Sequence, residues 1–318
     1  MLRRADFLGV GPVKAHMSSA PPPSAPPEIF DRALVNRRLD RALAQARPGE
    51  GRDFLLVRAA EEMRDRLSLV KRRFSLSADI GSPGPHAAVA LAACGQVEHV
   101  VRLAPTLLSA GSGAFSAAVA DIERLPLKEE RLDLAVSLLA LQAVNDLPGA
   151  LVQFRRALKR DGLLMAALVG GESLTELRQS LVTAESEILG GAAPRIAPFV
   201  EVRTLGALAQ RAGLALPVVD LDRLTARYAD MFSLMADLRA FGAANALKER
   251  SRKPLRREVL IRAAAVYRER FSDPDGRLRA TFDILWLSGW APHESQPKPL
   301  KPGTARTRLA DAVKRRSS

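Results

Sequence analysis

The sequence predicts an α/β fold, a seven-stranded and mostly parallel sheet with flanking helices and a helical cap. Three observations carry that prediction. Short apolar segments alternate with segments of helical periodicity from residue 76 to residue 168. A Gly/Pro-rich turn, Gly81-Ser82-Pro83-Gly84-Pro85, follows directly on the first apolar segment. Two later segments, 216–222 and 278–288, have strand character and complete the count of seven.

The elements follow in order. Residues 1–28 hold six prolines and read as a disordered, polyproline-like lead. Phe30, Leu34, Leu39 and Leu43 mark an amphipathic helix over 29–46. Phe54, Val57, Ala60, Met63, Leu67, Val70 and Phe74 keep steps of three or four and mark a second over 54–74. Strands are then expected at 76–80, 98–103, 116–120, 132–137 and 163–168. Helices are expected at 86–94, 105–110 and 147–158, the last closed by Lys159-Arg160-Asp161-Gly162. This βαβ rhythm implies a parallel sheet with its ligand outside the carboxyl ends of the strands. Beyond it, helices are expected at 174–189, 204–212, 230–246 and 254–271, with the two late strands among them. The division expected is a lead (1–28), one domain (29–292) and a disordered basic tail (293–318). Within the domain, 29–74 supplies N-terminal helices, 75–173 the ligand-binding core, and 174–292 the cap helices and last strands.

Composition narrows the function classes. With 47% hydrophobic and 26% charged residues the chain has the make-up of a globular protein with a sizeable core. No apolar run reaches the roughly 18 residues of a spanning helix. Cys94 is the single cysteine and the four histidines are scattered, so neither a disulfide framework nor a metal centre is expected. The lead lacks the apolar stretch of a secretory signal, so a cytoplasmic location is expected, with peripheral membrane contact left open. The net charge is +13, and residues 297–318 carry seven Lys/Arg against Asp311. A solvated tail is the commoner reading of such a run. With 5% aromatics and no recognition motif, specific nucleic-acid binding is not expected.

Four constellations could carry chemistry. Asp79-Ile80-Gly81-Ser82-Pro83-Gly84-Pro85 is a strand-to-helix turn in which Gly81 and Gly84 let the backbone approach a nucleotide ligand, and Asp79 could hold an ammonium group. Pro83 and Pro85 remove donors from that turn. The end of the next strand, Val100-Val101-Arg102-Leu103-Ala104-Pro105, lacks the carboxylate that accepts from ribose hydroxyls in dinucleotide folds. Asp121, ending the third strand, could accept from an adenine amino group, with Ile122 flanking the ring; Ser137 ends the fourth strand on the same edge. In Asn145-Asp146-Leu147-Pro148-Gly149, Asn145 or Asp146 could orient a substrate, while Asp146 equally suits the cap of the helix that follows.

These residues together resemble the class I, type 11 methyltransferases. The resemblance is closest to the mitochondrial complex I assembly factors that are methyltransferase-like arginine hydroxylases, with their proteobacterial relatives. It rests on Ile29-Phe30-Asp31-Arg32, Val144-Asn145-Asp146-Leu147-Pro148-Gly149-Ala150-Leu151, Gly170-Gly171-Glu172-Ser173-Leu174, Pro194-Arg195, Pro198-Phe199 and the stretch from Asp275 to Trp290, and so spans roughly residues 29–292. A more distant similarity is to the malonyl-carrier-protein methyltransferases. The resemblance implies a Rossmann-like fold and S-adenosylmethionine as cofactor, bound by Asp79, Gly81, Gly84, Asp121, Ile122 and Ser137. It also implies a protein substrate or respiratory-complex subunit, with Asn145 and Arg195 as substrate contacts. No catalytic residue is assigned, because a sulfonium methyl donor is already activated and positioning supplies most of the rate. The chain departs from the family where Gln142-Ala143 replaces His-Trp, where prolines enter the turn and where the ribose carboxylate is missing; these departures count against tight cofactor binding. The alternative is a non-catalytic assembly factor on the same scaffold. A nucleic-acid methyltransferase using the basic tail ranks behind both.

Overall fold

The computed structural model describes residues 28–47, 51, 53–111 and 113–297. The proline-rich lead, apart from Glu28, and the basic tail from residue 298 onward lie outside the described residues.

Seven strands form one sheet: β1 (Phe74–Ile80), β2 (Val97–Ala104), β3 (Ser116–Val119), β4 (Leu132–Leu138), β5 (Leu158–Gly170), β6 (Ala215–Tyr228) and β7 (Leu278–Trp290). Their order is β3-β2-β1-β4-β5-β7-β6. The β1–β2, β1–β4, β2–β3 and β4–β5 pairs are parallel, and β7 runs antiparallel between β5 and β6. The order reverses between β1 and β4, so the crevice of a doubly wound sheet opens there. Central strands covered on both faces read as continuous apolar runs. β4 and β7 are buried almost throughout, although each carries polar residues, whereas the edge strand β6 is half-exposed along its length.

One face carries α2 (Phe54–Ser68), α3 (His86–Ala92), α6 (Thr175–Leu189), α8 (Met231–Ala240) and α9 (Arg257–Phe271); the other carries α5 (Leu147–Ala157) and α7 (Val202–Arg211). Met63, Phe74, Leu134 and Tyr267 lie in the first core, and Phe154, Leu164, Leu205 and Leu285 in the second. The short α4 (Leu107–Ala110) follows β2, and α1 (Arg32–Gln45) lies against α4 and α8 at the crevice end.

Local chemistry explains several boundaries. The Asp31 carboxylate accepts from Leu34 N at 3.0 Å and starts α1. Asp146 accepts from Gly149 N at 2.8 Å and starts α5, with Pro148 in the first turn. A Cβ on Gly149 would lie 2.1 Å from Asp146 Oδ2, so a side chain there would press on the capping carboxylate in this geometry. Three expectations need correction. The apolar periodicity continues to Phe74, but α2 stops at Ser68 and Phe74 opens β1, because the ring is fully buried under the sheet. Lys159–Gly162 does not close a helix: β5 begins at Leu158, which pairs with Leu132, and the register shift beyond that pair takes up the extra residues. The helix expected over 230–246 also ends early, at Ala240, with Gly242 at φ +72° just beyond it.

Candidate cofactor and substrate cleft

A cavity of about 400 Å³ opens at the carboxyl edge of the sheet, at the crevice between β1 and β4. Gly81 and Pro83 line it from the turn after β1, Ile122 from the segment after β3, and Leu139, Ala140 and Gln142 from the turn after β4. The opposite wall is the cap: Leu177 on α6, Arg195 and Phe199 on the following loop, and Phe241 and Asn245 after α8. Phe30, Arg32 and Asn36, at and within the start of α1, close one side. The lining is largely apolar. Its charged members among the described residues are Arg32, Arg195 and Arg239, with no carboxylate.

The Gly81 backbone adopts φ +76°, and a Cβ there would lie 2.6 Å from Ile122 Cδ1. The first turn and the segment after β3 therefore touch, which only glycine permits. Gly81 N donates to Leu103 O at 2.7 Å, so that donor is already used. Leu139 and Leu174, both on the cavity wall, hold positive φ (52° and 57°), a conformation that costs a non-glycine residue about 1–2 kcal/mol.

Asp79 lies at the end of β1 and is register partner to Arg102 on β2. The two side chains are each 1% exposed and join through Arg102 Nε and Asp79 Oδ2 at 2.9 Å. Arg102 Nη1 donates to Ser109 O (2.8 Å) and Ala110 O (3.4 Å), at the end of α4. Its Nη2 donates to Ser82 O (3.2 Å) and Gly84 O (2.8 Å), in the turn. All five N–H groups of the guanidinium thus have acceptors. Burial pushes the Asp79 carboxyl up to about 6, against the opposing pull of Arg102 and the Ser82 hydroxyl.

The other sequence-predicted residues are placed as follows. Gly84 turns its carbonyl to Arg102 and does not line the cavity. Asp121 lies just past β3 on the same carboxyl edge, half-exposed, with its carboxylate 3.5 Å from Arg32 Nη2. Ile122 is buried and lines the cavity. Ser137 is fully buried in β4, away from the cavity lining. Asn145 clasps the chain ahead of α1: Phe30 N donates to its Oδ1 at 2.7 Å, and its Nδ2 donates to Phe30 O at 3.2 Å. Arg195 lines the cavity and is held by the buried Glu185 through Nε–Oε1 at 3.1 Å. Arg102, Leu139 and Gln142 are absent from the set read off the sequence. For Arg102 a signal was present, a cation at the strand end where a carboxylate is usual.

The fold and cleft define the class. Residues 78–166, from β1 into β5, match the Methyltransferase domain family, which uses an S-adenosylmethionine-binding fold. Solved structures agree on that fold: one from Bacillus halodurans C-125, assigned as a methyltransferase, has a TM-score of 0.51 at 14% identity and covers 73% of this chain and 98% of its own.

Nearly the whole chain is shared with a narrower group. Arginine-hydroxylase NDUFAF5, mitochondrial, from Danio rerio is 39% identical over 294 residues, 90% of each chain, and the Homo sapiens protein of that name is 39% identical over 285 residues, 87% of this chain and 81% of its own. The chain belongs to this family. It is also 32% identical over 301 residues to the malonyl-[acyl-carrier protein] O-methyltransferase of Methylovorus sp., 90% of this chain and 98% of that one.

Proposed function

We propose that the chain is an S-adenosylmethionine-dependent methyltransferase-like enzyme acting on a protein, in the assembly of a respiratory complex I. The observation that supports this best is the cleft, which is continuous between the turn at Gly81 and the cap at Arg195 and Phe199. A cofactor lying against the sheet edge would therefore face a segment entering from the cap side. The fit to the cofactor is divided. Gly81, Ile122 and Leu139 offer a close backbone approach and apolar walls suited to an adenosyl group. Asp79 is covered by Arg102, and no carboxylate stands free at the end of β2 for the ribose. When bound, the cofactor would supply an activated sulfonium. The chain's own residues would orient the acceptor and keep water out. Arg195, fixed by Glu185, is the proposed contact for the entering segment, with apolar side chains and backbone making the rest of the interface.

No described helix is long and apolar enough to cross a membrane. We place the protein in the cytoplasm beside the membrane-bound complex; the related NDUFAF5 proteins are named as mitochondrial. A second reading, a non-catalytic assembly factor, is favoured by the Asp79–Arg102 pair and by the lack of a carboxylate in the described cavity lining. The experiment that separates the two is intact-protein mass spectrometry. Isolated subunits of complex I are incubated with the protein and S-adenosylmethionine. One methylene gained on a subunit, or one oxygen gained when dioxygen and a reductant are also supplied, supports the enzyme; unchanged masses alongside a stable binary complex support the factor.

A further inference from the structure

We infer that Arg102 is a built-in ligand beside the cofactor pocket: it holds Asp79 Oδ2 and closes the carboxylate off, so that this chain recognises an adenosyl compound through its nucleoside alone. The inference rests on the cofactor class proposed above. It concerns which half of such a molecule the pocket can hold.

Three observations carry it. The pair is formed within the β1–β2 ladder itself, between register partners, and both side chains are 1% exposed. Asp79 Oδ1 has no hydrogen-bond partner, but it is enclosed with the rest of the side chain, so an incoming ammonium group finds no open path to the carboxylate while the guanidinium and the turn stay in place. Displacement would unmake the contacts to Ser82, Gly84, Ser109 and Ala110 together with the one to Asp79, leaving a buried charge unpaired. Second, the turn keeps only Ser82 N and Gly84 N as backbone donors for a carboxylate. Pro83 and Pro85 have no N–H, and Gly81 N is spent on Leu103 O. Third, the carbonyls of Ser82 and Gly84 converge on Arg102, so the cation shapes the turn. By contrast, the surfaces suited to a nucleoside, at Gly81, Ile122 and Leu139, remain on the cavity wall.

The test is calorimetry on the full-length chain with two probes, S-adenosylhomocysteine, which carries the amino-acid end, and 5′-methylthioadenosine, which lacks it. The expected result is two dissociation constants within about 10-fold of each other, with Asp79→Asn shifting neither by more than that. S-adenosylhomocysteine binding more than about 10-fold tighter, with the advantage erased by Asp79→Asn, overturns the inference. If the wild type binds neither probe at millimolar concentration, the cofactor reading itself falls, and Arg102→Asp decides the inference. Binding of S-adenosylhomocysteine that appears in this variant, shown folded by circular dichroism, supports it; a folded variant that still binds nothing overturns it. Should Arg102→Asp fail to fold, Arg102→Gln takes its place under the same two outcomes.

Discussion

Asp79 and Arg102 face each other across the β1–β2 ladder and share a 2.9 Å ion pair from which solvent is excluded. The pair ties the end of β1, the glycine turn and the end of α4 into one unit, because the guanidinium reaches carbonyls in both flanking segments. Breaking a buried pair from one side is costly, since the surviving charge has no water to turn to.

The pH dependence of stability carries the signature of Asp79. Its carboxyl is pushed up to about 6 from an ordinary 3.8, with burial the largest cause. The folded protein therefore holds a proton that the unfolded chain releases nearer pH 4. The stabilisation is fully present below about pH 4 and is lost as the pH rises through about 6, a swing of about 3 kcal/mol. Urea midpoints of wild type and Asp79→Asn, compared from pH 4 to pH 8, should show the wild type losing ground across that window and holding level above it. A difference that is flat, or that grows in favour of the wild type, contradicts this.

A double-mutant cycle measures the pair directly. Arg102→Met leaves the carboxylate buried without its partner and should cost about 3–5 kcal/mol at pH 7. Combining it with Asp79→Asn removes the stranded charge, so the double variant should be more stable than the sum of the two single effects by about 1–3 kcal/mol. Strict additivity in denaturant titrations would show that the two residues are not coupled.

Two glycine-to-alanine changes in helices should have opposite signs. Gly149→Ala drives a Cβ into the Asp146 carboxylate and breaks the α5 cap, at a cost of about 1–2 kcal/mol. Gly206→Ala, in α7, meets only Val219 Cγ2 at 3.9 Å and should raise stability by about 0.5–1 kcal/mol through helix propensity. The order of their melting temperatures against wild type checks both.

Asn145→Ala should loosen the entry to α1, because both backbone groups of Phe30 lose their partner. The expected cost is about 1–2 kcal/mol. Hydrogen exchange should quicken at Phe30 and the first turn of α1 while β4 stays protected. Uniform loss of protection across the sheet would show that the clasp is not local.

Much of the architecture was legible from local pattern. Short apolar runs, such as Leu134-Ala135-Val136, announced strands covered on both faces, and the Asp146-Leu147-Pro148 run announced a capped helix start. Where periodicity misled, the competing influence was tertiary: Phe74 fits the helical spacing of α2, yet full burial in the sheet is the environment that claims it. The candidate site was half legible. Gly81 and Ile122 line the cleft as their spacing suggested, and Arg195 joins them from the cap. Asn145, by contrast, is spent on Phe30, a residue 115 positions away in the chain, and no local rule foretells such a contact.

Spacing, turn chemistry and composition alone determined that this chain forms a parallel-rich sheet with Asp79 and Asp121 at the carboxyl edge of its strands, because strand and helix periods and caps are properties of neighbouring residues. Only the tertiary structure decided what Asp79 holds. The partner of a buried charge is chosen by strand register and by which carbonyls converge on it, and here both select Arg102.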